Sequence, residues 1–98
     1  MNIVIIYGKI VSKIEFKFIY DRYKEKDNIK EKYKHTSIAK CKIRLENDSI
    51  VEVYGYDNIA DYMYRYMKEN EEVLIEGKID GNMKIEIIII KPYNLRQI

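Results

Sequence analysis

Ninety-eight residues make one domain with a modest core and leave no length for a second, so a single domain over residues 1–98 is expected. With 47% hydrophobic and 35% charged residues the chain is too apolar for a disordered protein, yet no apolar run nears the roughly 20 residues of a membrane-spanning helix. A net charge of +2 is too small to announce a nucleic-acid binder unless the basic residues collect on one face.

The opening, MNIVIIYGKIV, is apolar but has no charged leading region, is broken by Gly8-Lys9 and lacks a small-residue cleavage site, so it reads as structure rather than as a signal peptide. A soluble, cytoplasmic protein is the expectation. Residues 2–19 form a long β-prone segment rich in Ile, Val and Phe, with a bulge or sharp bend expected at Gly8. Residues 20–35, YDRYKEKDNIKEKYKH, lose that pattern and mix six basic with four acidic residues, as a charged loop does. From Ser37 the chain alternates cleanly, with Ala39, Cys41, Ile43 and Leu45 on one face and Lys40, Lys42 and Arg44 on the other. The lone Cys41 lies in the apolar row and reads as a small buried hydrophobe.

Glu46-Asn47-Asp48-Ser49 is turn chemistry, and alternation resumes over residues 50–56, with Val51 and Val53 inward and Glu52, Tyr54 and Tyr56 outward. A helix is expected from Asn58 to about Lys68, capped by Asp57 or Asn58, with Ile59, Met63, Tyr66 and Met67 on its buried side and Asn70 closing it in a left-handed conformation. Val73, Ile75 and Ile79 then alternate through a fourth strand, Asp80-Gly81-Asn82 turns the chain, and Met83, Ile85, Ile87 and Ile89 mark the inner face of a fifth, ended by Pro92. The order is β, β, β, α, β, β. A five-stranded all-β barrel with its one helix between strands three and four is the OB-fold arrangement, in which the helix plugs an open end. A ferredoxin-like fold needs a second helix, and residues 20–35 carry no helical apolar stripe.

Two stretches resemble the bacterial single-stranded DNA-binding proteins, which are OB-folds. NIVIIYGKI, residues 2–10, is similar to the family's opening strand of an asparagine, an apolar run, a glycine and a basic residue. VEVYGYDNIADYMYRYMKENEEVLIEGKI, residues 51–79, follows its pattern of an apolar strand, aromatic-Gly, an Ala-initiated helix, a polar turn and Val-x-Ile-Glu-Gly. The chain departs from the family in its short turns at residues 46–49 and 80–82, in the absence of tryptophan, in Asn70 where the family usually has glycine, and in ending PYNLRQI without the acidic tail that recruits replication enzymes. The resemblance implies binding of single-stranded DNA with little sequence preference, in replication, recombination or mobile-element transfer. It also implies that Tyr54, at the aromatic-Gly position, stacks on a base and that copies assemble through their first strands.

Strands two and three form the usual ligand face of an OB-fold. Keeping both apolar rows inside leaves two registers. A five-residue loop sets Arg44 opposite Glu52, Lys42 opposite Tyr54 and Lys40 opposite Tyr56, and a three-residue loop shifts each pair by two. Either way Lys40, Lys42, Arg44, Tyr54 and Tyr56 share one face, which offers cations for phosphates and flat rings for bases. The competing reading is an ordinary solvated strand face with Glu52 pairing a neighbour. Arg22, Lys24 and Lys34, with Tyr23, Lys26, Lys30, Lys32 and Tyr33, form either an arm that closes over the strand or a solvated loop balanced by its own acids. On the helix, Tyr66 is expected in the core, Tyr62 at its margin and Tyr64 on the surface. Outward Ile3, Ile5 and Tyr7, with Ile88 and Ile90 of the last strand, would leave a large apolar patch exposed, so they are read as the surface of a homodimer or homotetramer.

Nothing in the sequence points to an enzyme: the single His35 lies in the charged loop, no nucleophile sits in a Gly-rich turn, and no His or Cys cluster has metal-ligand spacing, so no catalytic residue, metal or cofactor is expected. The alternative function is an OB-fold protein-interaction module or a primosome-like accessory protein. RNA in place of DNA is left open.

Overall fold

The computed structural model describes residues 2–19 and 35–93. Its elements are β1 (Ile3–Ile10), β2 (Glu15–Phe18), β3 (Ser37–Leu45), β4 (Ile50–Tyr56), α1 (Asn58–Tyr66), β5 (Glu72–Ile79) and β6 (Ile85–Pro92). The strands bond in the order β1-β5-β6-β4-β3-β2, and β1 also pairs with β3, so β1, β5, β6, β4 and β3 close a five-stranded barrel. The helix lies between the third and fourth strands of that barrel, at the expected place. β2 is the second half of the first strand. It takes up the edge of β3 where β1 leaves it, β1 pairing at Gly8–Leu45 to Ile10–Ile43 and β2 at Glu15–Lys40 to Phe18–Ser37.

The first strand is therefore long and bent, but the break falls at residues 11–14 and not at Gly8, through which the β1–β5 register runs without a shift. Gly8 has a different reason. It stands where β1 closes onto β3, and a Cβ there would collide with the Arg44 carbonyl oxygen and the Ile43 side chain. Across the break the Val11 amide donates to the Lys42 carbonyl at 2.9 Å, and the Ser12 hydroxyl accepts from the Lys42 amide at 2.9 Å, so a side chain stands in for a ladder partner.

Ile10, Ile43, Val53, Val73 and Ile75 fill the barrel, and Ala60, Met63 and Met67 close one end of it from the helix side. Burying Met63 completely is worth about 2 kcal/mol, and a helix of nine residues, marginal by itself, depends on such contacts. Gly55 permits the seat: a Cβ on this β4 residue would run into Ile59. Cys41 is buried in the same core, and burial pushes its thiol up to about 12, so it is inert at neutral pH.

Several expectations are corrected. The helix stops at Tyr66, and Met67 turns to extended backbone while staying buried, so Tyr66 points outward, 61% exposed, and not into the core, whereas Tyr62 packs at the core margin as expected. Asn70 is left-handed, at φ 77°, but in the turn after the helix, where its amide donates to Ile10 at 2.7 Å and ties the turn to β1. Asp57 makes no side-chain cap of α1; its carboxylate turns to Thr36, Ser37 and His35. Met83 lies outside β6, at φ 63° and almost fully exposed. Within β6, Gly77 faces Ile87 while Glu76 faces Ile89, which leaves Ile88 as the extra residue of a bulge. The bulge reverses the parity, so Ile90 is buried and Ile89 is exposed. Pairing also passes Pro92, since the Tyr93 amide donates to Glu72 at 2.9 Å.

Candidate nucleic-acid interface

The β3–β4 hairpin adopts the three-residue loop. Leu45 and Ser49 bond across it at 2.8 Å, and Asp48 takes the left-handed position at φ 68°. That register sets Lys40 opposite Tyr54, Lys42 opposite Glu52, Arg44 opposite Ile50 and Tyr56 opposite Ile38. With the inner rows 39, 41, 43 and 53 buried, all five hairpin residues expected on one face are on it. β2 widens the face, since Lys17 pairs with Ile38 and Glu15 with Lys40. Three rows therefore cross the sheet: Lys17–Ile38–Tyr56, Glu15–Lys40–Tyr54, and Lys42–Glu52.

The β5–β6 turn forms one wall of a shallow cleft over these rows, with Asp80, Asn82 and Lys84 beside Tyr54 and Tyr56. The Tyr54 hydroxyl donates to Asp80 Oδ2 at 2.7 Å, while Asp80 Oδ1 accepts from the Asn82 and Lys84 amides at 2.8 and 3.0 Å. Burial, and then the bond to Asp80, raise the Tyr54 phenol above its usual range; the Tyr54 hydroxyl, and then the Lys84 and Asn82 amides, hold the Asp80 carboxyl down. The Tyr54 ring is thereby fixed at both ends, and it meets Tyr56 edge-on at 5.7 Å. Tyr56 in turn carries the His35 imidazole stacked flat on it, 4.0 Å away and tilted by only 6°.

Lys84 Nζ lies 3.3 Å from Glu52, and Lys40 Nζ lies 4.0 Å from Glu15, both at half-exposed positions where such pairs are worth under about 1 kcal/mol and yield readily to a phosphate. Among the described residues Lys17, Lys42 and Arg44 have no ion-pair partner. Arg22, Lys24 and Lys34, with the rest of the basic loop, lie outside the described residues. Lys17, Lys84, Asp80 and His35 were missed by sequence reasoning. The alternation Glu15-Phe16-Lys17-Phe18 could have placed Lys17, whereas the approach of Lys84 and Asp80 to β4 is a property of the closed barrel.

On the other side of the barrel, Ile3 and Ile5 are exposed on β1, and Tyr7 is half-buried against Tyr93, ring centroids 4.7 Å apart. Leu74 lies across from Tyr7, Glu76 and Lys78 lie across from Ile5 and Ile3, and Ile88 and Ile89 of β6 are exposed beyond them. Ile90 does not belong to this surface. Among the described residues no three His, Cys, Asp or Glu side chains converge as metal ligands, and no helix is long and apolar enough to cross a membrane.

Strand order, closure and helix position define an OB-fold of the kind found in single-stranded DNA-binding proteins. The fold matches the single-stranded DNA-binding domain of a Synechococcus protein at TM-score 0.70 and 18% identity, over 92% of this chain and 93% of that one. The small single-stranded DNA-binding protein of Streptomyces coelicolor matches at 0.70 and 8% identity, over 96% and 94% of the two chains. That of Thermus aquaticus matches at 0.72 and 11%, over 96% of this chain but 41% of that one. No family model matches the sequence, and no curated protein matches it. At these identities the likeness is one of fold.

Proposed function

We propose that this chain binds single-stranded DNA with little sequence preference, on the outer face of β2, β3 and β4. The observation that carries the reading is the alternation of cation and ring across that face: Lys40 beside Tyr54, Lys17 in the row of Tyr56, and Lys42 and Arg44 beyond them. Phosphates meet the lysines while bases lie on the tyrosines, a mode that reads no sequence because every base has a π-face. The solved proteins of this fold include several named for single-stranded DNA binding, which supports the same ligand. The settings for such an activity are replication, recombination or mobile-element transfer, in a symmetric oligomer built on the β1 side.

The test is a titration of labelled oligo-dT against a duplex of equal length at low salt. Preference for the single strand is expected, and with about three or four phosphate contacts per chain the slope of log K against log salt should be roughly −2 to −3. Equal binding of duplex, or a slope near zero, rejects the reading. The exposed aliphatic patch favours one other function, an OB scaffold that holds a partner protein, and this is what remains if oligo-dT does not bind.

A further inference from the structure

His35 is the chain's one histidine, and the structure places it at the end of the proposed ligand face. Its Nδ1 lies 2.7 Å from Asp57 Oδ2, and the other oxygen of that carboxylate accepts from the Thr36 amide at 2.7 Å and the Thr36 hydroxyl at 3.0 Å. The Thr36 amide first, and then the imidazole, hold the Asp57 carboxyl down at about 2, so it is an anion throughout the neutral range and can only accept. Nδ1 therefore carries a hydrogen. Nε2 is left as the ring's second polar atom, on a side chain 40% exposed and, among the described residues, without a hydrogen-bond partner.

The rows of the sheet show what such a group supplies. Tyr54 has Lys40 directly opposite, but Tyr56 has Ile38 opposite, and its row reaches a cation only at Lys17 on the far side of Ile38. Among the described residues, the groups that meet the imidazole are Asp57 at the β4–α1 junction and the Tyr56 ring of β4. A neutral imidazole bound to Asp57 through Nδ1–H has only an acceptor at Nε2 and repels a phosphate oxygen. The imidazolium donates there.

We propose that His35 is a phosphate contact of this face, binding the nucleic-acid backbone through Nε2–H as an imidazolium stacked on Tyr56 and held by Asp57, so that each chain takes up a proton as it binds. The proton comes from solvent and stays on Nε2 while the phosphate is bound. Because binding favours the protonated form, affinity rises as pH falls through the range in which histidine charges and is lost as pH rises through it. The proposal rests on the single-strand reading above, which has its own test in the salt slope.

The experiment is isothermal titration of the whole chain with oligo-dT lacking terminal phosphates, whose second ionisation falls in the same range. Measured near pH 6.5 to 7 in buffers of different ionisation enthalpy, it reports protons taken up per strand bound. Wild type should take up a substantial fraction of one proton per site, and its affinity should rise about 3-fold to 10-fold from pH 8 to 5.5, the scale of one charge-assisted contact at a partly exposed position. His35→Phe keeps a ring on Tyr56 but should bind with a lower affinity that does not change with pH. His35→Arg should restore the affinity, also without pH dependence, since a guanidinium stacks as well and stays charged. Binding by wild type with no proton uptake overturns this proposal and leaves the single-strand reading intact, as does a His35→Phe that still takes up the proton. Absence of any oligo-dT binding overturns both. The wild-type uptake decides the matter even if a variant fails to fold.

Discussion

Tyr54 is the side chain on which the proposed face stands or falls, because it is held in place before any ligand arrives: Asp80 takes its hydroxyl and Tyr56 its ring. Tyr54→Ala should cost roughly 1 to 3 kcal/mol of single-strand affinity, about 5-fold to 150-fold, the scale of base stacking on one aromatic ring. Tyr54→Phe keeps the ring and gives up only the bond to Asp80, so it should lower stability by about 1 kcal/mol while binding nearly as wild type does. Val53, its neighbour, is fully buried, and Val53→Ala should lower stability by about 2 kcal/mol without changing the affinity of the folded fraction. Anisotropy with oligo-dT beside thermal melts separates the three, and a Tyr54→Ala that binds as wild type does rejects the face. Asp57 makes a prediction in pH. Its carboxyl is depressed in the folded protein, so its contribution is fully present above the ordinary aspartate range and is lost as pH falls toward about 2. Asp57→Asn should therefore melt well below wild type at pH 6, and the gap should close by pH 2; a gap independent of pH would mean that the charge of Asp57 contributes nothing. The hairpin residues were legible because strict alternation fixes the side on which each points. His35 and Asp80 were not, because their partners lie 22 and 26 positions away in sequence.

At the scale of elements, alternation and helical spacing located every strand of the barrel and the helix, and failed wherever a local irregularity changes the period. β6 is the clearest case: four consecutive apolar residues, Ile87 to Ile90 after Ile85 and Glu86, obey period two only up to the bulge at Ile88, and a run of isoleucines carries no mark of where it slips. The helix ends about two residues early because Met67 remains buried in an extended conformation, which a helical wheel represents as one more helical residue. The break in the first strand was placed at Gly8 on the usual reading of a strand glycine, while the glycine is required by close approach to β3 and the bend is carried by residues 11–14. The β5–β6 turn yields a prediction of its own. Asp80-Gly81-Asn82 was read as the whole turn, but the left-handed position falls on Met83, where an L side chain costs about 1 to 2 kcal/mol. Met83→Gly removes that penalty, loses almost no packing from a side chain that is 79% exposed, and gives back part of the gain through the entropy of glycine. A net stabilisation of up to about 1 kcal/mol is expected in a denaturant melt, and a loss of stability would show that the methionine has a packing role.

For the whole molecule, the barrel separates its two candidate surfaces: cations and rings on the outer face of β2, β3 and β4, and aliphatic side chains on the outer face of β1 and β6, with Leu74, Glu76 and Lys78 of β5 between them. Over Ile3 to Tyr7, β1 has β5 on one side and, among the described residues, no strand on the other, so an open backbone edge runs beside exposed Ile3 and Ile5. An edge of that kind invites another strand, and a twofold axis beside it covers the patch with its own copy. Beyond Glu76 of β5, which pairs with Ile5 on one side and Ile89 on the other, aliphatic surface resumes at Ile88 and Ile89, as the β6 bulge turns two neighbouring isoleucines outward. Wild type should therefore scatter light as a dimer or larger oligomer at tens of micromolar, and Ile5→Lys, which puts a charge into the proposed seam at a position where the isoleucine is 68% exposed, should reduce it to the mass of one chain. Because Ile5 lies on β1 and the proposed ligand face on β2, β3 and β4, the variant should keep wild-type affinity for an oligo-dT that spans one site. It should lose at least about 10-fold on a strand long enough to reach two, since linked sites bind with an avidity of roughly 10²-fold or more when geometry permits. A wild-type mass of one chain defeats the assembly reading outright. An Ile5→Lys oligomer of unchanged size moves the seam away from β1, and a monomer that also loses the short strand would place Ile5 within the binding face itself.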